Sequence, residues 1–240
     1  MFIKIIQKKW RFKLLNKALF WDFDGTLSYP NKSFYSALGK ALLKNGYSLQ
    51  NEKGEEFLKT AYSWKTPDIT YVDKTNSLWW DTLFEKIMGF CATVGVAPAD
   101  LEKVCSDFKE ILTDVSNYKL YDDTAETLKK CMDLGYKNYL ITNNYPEITS
   151  ILEKLGIAHF FESFIVSSHI GYEKPRKEFF EHAKNVAESP EVVYVVGDNL
   201  NADIQGGKNM GFTTVAVHRC TESDADYYLE NLFGIFNILI

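Results

Sequence analysis

Cysteine is scarce in this chain. Four residues in 240 carry a thiol, Cys91, Cys105, Cys131 and Cys220, with no C-x-x-C pair and no histidine at zinc-ligand spacing. Neither a disulfide framework nor a zinc site is expected, and the thiols read as reduced and mostly buried. Charge of one sign is also lacking: the formal net charge is -5, without long runs of either sign. That excludes the electrostatic footprint of a nucleic-acid or anionic-membrane partner. No apolar run is long enough to span a bilayer. The first sixteen residues are basic and mixed (Lys4, Lys8, Lys9, Arg11, Lys13) and lack the continuous apolar stretch of a signal peptide. They read as a solvated N-terminal extension, and the protein as cytoplasmic. No repeat or low-complexity tract occurs. No G-x-G-x-x-G follows the first apolar run, which opposes a dinucleotide enzyme; Gly206, Gly207 and Gly211 suit helix packing instead.

What is present is globular: 46% hydrophobic and 25% charged residues, enough for a real core. From Lys17 onward, short apolar runs alternate with segments of helical periodicity, the pattern of an α/β fold with a doubly wound parallel sheet. Five strands are expected, at Ala18–Asp22, Asn138–Thr142, Phe164–Ser167, Val192–Gly197 and Thr213–Val217. A helix should run from Thr124 to Leu134, with Asp123 as N-cap, Leu128, Met132 and Leu134 on one side, and Gly135 at C′. Another should lie between Pro146 and Gly156 with Ile148, Ile151, Leu152 and Leu155 as its stripe. About a hundred residues separate the first two strands, too many for one crossover, so they should hold an inserted domain. Phe34, Leu38, Ala41 and Leu42, and the apolar stretch Leu78–Val94, make that insert helical. The expected division is an extension at 1–16, a core at 17–29 and 118–240, and the insert at 30–117.

Polar groups collect at the ends of these strands. The first ends in Asp22-Phe23-Asp24-Gly25-Thr26, placing two carboxylates at the carboxyl edge where open α/β sheets bind ligands; Gly25 allows a turn that brings Asp24 toward the cavity of Asp22. The second runs into Thr142-Asn143-Asn144, a hydroxyl and backbone N–H groups just before an expected helix N-terminus, suited to an oxyanion. After the third comes Glu173-Lys174-Pro175, where the proline could fix an ammonium against a phosphate. The fourth ends in Gly197-Asp198-Asn199-Leu200-Asn201-Ala202-Asp203, adding two more acids. Each fragment alone is an ordinary turn or cap; their common order makes coincidence a poor account.

These four motifs, DFDGT, ITNN, Lys174 with Pro175, and GDNLNAD, resemble those of the haloacid-dehalogenase superfamily over nearly all of the chain from Lys17 onward. The long helical insert after the first motif is like its C1 type of cap, and Tyr121-Asp122-Asp123 and Ala225-Asp226-Tyr227 look like the subfamily containing phosphoglycolate phosphatases and nucleotidases. The resemblance implies a Rossmann-like core and a phosphatase acting on a small phosphorylated metabolite. It also implies Mg²⁺ held by Asp22, Asp198 and the backbone carbonyl of Asp24, with Asp203 and Asn199 behind them. Asp22 would be the nucleophile of an aspartyl-phosphate route and Asp24 the acid and base. Thr142, Asn143 and Lys174 would hold the phosphoryl oxygens. Arg176-Lys177 departs from the usual pattern and leaves Lys177 competing with Lys174 for the site; Asn144 stands where glycine is frequent. Tyr62, Trp64, Tyr71, Trp79, Trp80, Lys65 and Lys74 of the insert are candidates for reading the leaving group, although Trp79 and Trp80 suit packing better. A mutase, a phosphonatase, a receiver domain or a non-enzymatic phosphate-binding relative are the rival readings. A monomer or dimer is expected.

Overall fold

The computed structural model describes residues 15–49, 51–218 and 224–240. The basic residues Lys4 to Lys13 and Cys220 lie outside them. The chain runs β1 (Lys17–Trp21), α1 (Ser33–Lys44), α2 (Asn51–Ala61), α3 (Trp79–Thr93), α4 (Leu101–Leu112), α5 (Thr124–Asp133) and β2 (Lys137–Thr142). It continues through α6 (Ile148–Lys154), β3 (Ser163–Val166), α7 (Ser167–Ile170), α8 (Lys177–Val186), β4 (Val192–Gly197), α9 (Gly206–Asn209), β5 (Thr213–Val217) and β6 (Tyr227–Leu229). The six strands form one parallel sheet in the order β3-β2-β1-β4-β5-β6. The chain therefore winds outward from β1 in one direction and resumes at β4 in the other. The switch point between β1 and β4 opens a crevice at the carboxyl edge.

Both faces of the sheet are covered, which is why its central strands are mostly apolar. Along β1, Leu19 and Trp21 pack into the core shared with the helices of the insert, while Ala18 and Phe20 pack on the opposite face with Phe179 and Phe180 of α8. The first core continues without a break through Leu38, Leu83, Ile87, Phe108 and Tyr145, so α1, α3 and α4 are tied to the sheet by apolar burial. Gly206 and Gly207 are packing positions, as expected: a Cβ on the first would enter the ring of Phe180, and one on the second would press on Thr214 and Val195. Gly211 is not; it stands at φ +70° with nothing near its missing side chain and serves a turn.

Several expectations need correction. The sheet has a sixth strand, β6, at its edge. Ser167 does not end β3 but begins α7, and Asp22 lies one residue beyond β1. Asp123 does not cap α5 with its side chain; that carboxylate accepts from the Leu232 N–H at 2.8 Å, joining the helix to the C-terminal segment. The buried stripe of α5 is Thr124, Thr127, Leu128 and Cys131, whereas Met132 and Leu134 are exposed, because the face that meets the sheet follows the i, i+3, i+4 spacing from Thr124. Cys91, Cys105 and Cys131 are free and buried. Among the described residues no helix is long and apolar enough to cross a membrane.

Candidate active site

The end of β1 builds the first half of the site. The Asp22 N–H still donates to Val196 O at 2.9 Å, extending the ladder to β4, and then the chain doubles back: Thr26, Leu27 and Ser28 all donate their N–H groups to Phe23 O. Gly25 makes the reversal at φ +92°, a region closed to most side chains. The turn places Asp24 over the same cavity as Asp22. Asp198, one residue past β4, comes against the bare backbone of Gly25, and the carboxylate oxygens of Asp22, Asp198 and Asp203 lie within 4.8 Å of one another.

Lys174 completes the arrangement from the other side. Its ammonium is buried and donates to Asp22 Oδ1 at 2.8 Å, to Asp203 Oδ1 at 2.6 Å and to Ile141 O at 2.9 Å. Burial alone would lower its pKa, but the flanking Asp203 and Asp22 charges outweigh it and hold the lysine firmly protonated. The other oxygen of Asp203 accepts from the Asn199 N–H at 3.0 Å, so both oxygens of that residue are engaged by protein. Lys177 is exposed and pairs with Glu181 at 2.8 Å, which decides the competition in favour of Lys174. The Lys174–Pro175 peptide bond is cis.

Thr142 and Asn143 line the same cavity, but not as a helix N-terminus: residues 143–147 form a loop and α6 starts only at Ile148. The Asn143 side chain exchanges two hydrogen bonds with the Lys174 backbone, donating to its carbonyl at 3.0 Å and accepting from its N–H at 2.7 Å. It therefore fixes the lysine loop. Asn199 also lines the cavity, and its side chain caps the following turn by accepting from the Asn201 and Ala202 N–H groups, each at 3.0 Å.

Two further buried acids have unusual surroundings. Asp24 is pushed up to about 7 by burial and by the nearby Asp22 charge, while hydrogen bonds from Asn144 and the Asn31 backbone act the other way. Glu173, beside Lys174, is pushed up to about 7 by burial, against the Ser63 and Ser167 hydroxyls and the Lys174 charge. Its Oε1 accepts from Ser63, a residue of the insert, and Trp79 donates its indole N–H to the same hydroxyl at 3.3 Å. The motifs gave no sign of either the Asn144 or the Ser63 contact.

The cavity has a volume of ≈ 200 Å³ and is bordered on the insert side by Trp64, Lys65 and Pro67. Of the insert candidates, Trp64 and Lys65 thus line the cavity that holds the acids. Tyr71, Lys74 and Trp79 instead border a separate cleft with Ser63, Tyr62 is buried against Phe34 and Trp64, and Trp80 is buried with its indole N–H on Glu147. Three close carboxylates against the buried ammonium of Lys174 leave excess negative charge, and the donors are all hard oxygens. Such a set fits Mg²⁺, which keeps waters and takes few carboxylates. Asp203 is fully buried with both oxygens bonded to Lys174 and Asn199, whereas Asp22 and Asp198 keep some exposure to the cavity, so these two are suited to hold the ion.

A family model described as haloacid dehalogenase-like hydrolase matches residues 16–211. The chain is 27% identical to the glyceraldehyde 3-phosphate phosphatase of Methanothermobacter thermautotrophicus over 90% of its own length and 92% of that protein. It is 34% identical to the protein of the same name from Methanopyrus kandleri, over 48% of its own length and half of that protein. Its fold matches the magnesium-bound crystal structure of the HAD-hydrolase YfnB from Bacillus subtilis with a TM-score of 0.71 at 19% identity, covering 94% of this chain and 99% of that one. With four motifs meeting at one sheet edge and the family model spanning most of the sequence, the chain belongs to the haloacid dehalogenase-like hydrolase family.

Proposed function

We propose that the protein is a Mg²⁺-dependent phosphatase of small phosphate monoesters, working through an aspartyl-phosphate on Asp22. The observation that carries this reading is the placement of the Lys174 ammonium between Asp22 and Asp203, beside Asp24 and Asp198, in one small cavity.

Phosphate monoesters resist hydrolysis because an anionic nucleophile must approach an anionic phosphoryl group, so catalysis rests on positioning and charge neutralisation. When bound by Asp22, Asp198 and the Asp24 carbonyl, Mg²⁺ supplies part of that neutralisation. Lys174 fixes one oxygen of Asp22 and leaves the carboxylate aimed into the cavity. An Asp22 oxygen attacks phosphorus, the bond from phosphorus to the leaving oxygen breaks, and Asp24 delivers a proton to that oxygen. Asp24 then takes a proton from the water that attacks phosphorus, and the bond to Asp22 breaks to release inorganic phosphate. The Thr142 hydroxyl and the Asn143 N–H hold phosphoryl oxygens, while the Asn143 side chain keeps Lys174 in register. Asp203 and Asn199 orient the lysine and the loop behind the acids.

We read residues 17–29 and 118–240 as the catalytic core and 30–117 as a cap whose Trp64, Lys65 and Pro67 face the leaving group. A cavity of ≈ 200 Å³ suits a small metabolite, consistent with the names of the two relatives. Hydrolysis of p-nitrophenyl phosphate by purified protein, with Mg²⁺ and after chelation, tests the reading. Turnover that needs the metal supports it; turnover indifferent to chelation, or phosphoryl uptake from acetyl phosphate without turnover, contradicts it.

A further inference from the structure

Asn144 stands in the loop after β2 and is fully buried. Each end of its side-chain amide has an assigned partner. The oxygen accepts from the Tyr145 N–H at 3.0 Å, and a backbone N–H can only donate, so the amide nitrogen must point the other way. There it donates to Asp24 Oδ2 at 2.8 Å. The Asn144 backbone N–H donates in turn to Ser167 Oγ at 3.1 Å, which anchors the loop to the start of α7. On the Asp24 side the carboxyl is held sparingly: among the described residues, Oδ1 is buried without a hydrogen-bond partner and Asn144 is the side chain that bonds Oδ2. The terminal torsion of an aspartate is soft, so the directional bond from the Asn144 side chain, beside the Asn31 backbone N–H, decides where its oxygens lie.

We infer that Asn144 is a positioning residue for the leaving-group proton: it fixes the rotation of the Asp24 carboxyl through its side-chain amide, whose oxygen is held by the Tyr145 N–H while Ser167 anchors its backbone. This rests on the proposed role of Asp24 as general acid. A phosphate ester with a good leaving group departs with little help from an acid, whereas a poor one depends on an aligned proton donor. Loss of Asn144 should therefore be felt unequally across leaving groups, which a role in loop folding alone would not produce.

The experiment measures kcat/KM, which reports the first phosphoryl transfer, for p-nitrophenyl phosphate and phenyl phosphate. The proteins are wild type, Asn144→Ala, Asn144→Ser and Asp24→Asn, each checked by thermal unfolding; the serine keeps a polar group in the buried loop but is too short to reach Asp24. Both Asn144 variants are expected to lose at least about tenfold more on phenyl phosphate than on p-nitrophenyl phosphate. An equal loss on the two esters, or no loss, in whichever Asn144 variant folds overturns the inference. If Asp24→Asn shows the unequal loss and the Asn144 variants do not, the inference alone falls. If Asp24→Asn itself shows no unequal loss, the acid role of Asp24 falls and the inference with it.

Discussion

The carboxylate of Asp198 occupies the space a side chain at position 25 would fill: a Cβ built on Gly25 would stand 2.6 Å from the Asp198 Cγ. The reversal after β1 and the acid after β4 are thus fitted to each other across the switch point of the sheet. Gly25→Ala should cost about 1–3 kcal/mol from the φ +92° backbone alone. It should also displace Asp198 and weaken metal affinity, measured by denaturant unfolding and by Mg²⁺ titration of activity. Unaltered metal dependence in a folded Gly25→Ala protein would contradict the fit.

Lys174 holds two buried carboxylates apart from each other's charge. Lys174→Met should destabilise the fold by about 3–5 kcal/mol, because Asp22 and Asp203 lose their ammonium. Lys177→Ala removes only an exposed pair with Glu181 and should leave stability and turnover essentially unchanged. Chemical denaturation of the two variants side by side checks the contrast.

Glu173 gives a pH dependence of known sign. Its carboxyl is raised in the folded protein, from 4.5 to about 7, chiefly by burial, so the folded state holds more protons than the unfolded state between those values. Stability from this group is fully present below pH 4.5 and falls as pH rises through about 7, where the charge becomes buried. Glu173→Gln keeps an acceptor for Ser63 and removes that loss. It should leave stability at pH 5 little changed and raise it at pH 8 by about 1–3 kcal/mol, in urea melts at both pH values. A variant equally weakened at both would show that the carboxylate is stabilising as a charge.

Lys65 and Trp64 line the cavity from the insert, together with the acids and Lys174 of the core. Truncating either to alanine should alter the ranking of substrates by leaving group, with roughly tenfold changes in kcat/KM for preferred metabolites and smaller ones for p-nitrophenyl phosphate. A screen of sugar phosphates, nucleotides and phosphoglycolate against both variants reads this out. An identical ranking in all proteins would remove these residues from substrate choice.

How much of this the sequence made legible follows from the physics of each feature. Buried parallel strands are near-continuous apolar runs, so β1, β2, β4 and β5 stood out, whereas β6 is three residues long, partly exposed and carries no such run. The acids were readable because each follows a strand end within a few residues, and one sheet edge gathers all strand ends. Contacts made through space were not: Ser63 and Glu173 are 110 positions apart, and no periodicity links them. Asn144 looked like a departure from a glycine position, and only the fold reveals that its amide faces Asp24. The stripe of α5 was misplaced by the apolar side chains of Met132 and Leu134, which the helix leaves in solvent while burying Thr127.

The central claim is that Asp22 becomes covalently phosphorylated. Acid quenching during turnover of a small phosphate ester, with the peptide containing Asp22 then sequenced by mass spectrometry, tests it directly. A phosphoryl group on Asp22, accumulating further in Asp24→Asn and absent from an inactive, folded Asp22→Asn protein, is the predicted result. Undiminished hydrolysis by Asp22→Asn, or a phosphoryl group on another residue, would contradict the account.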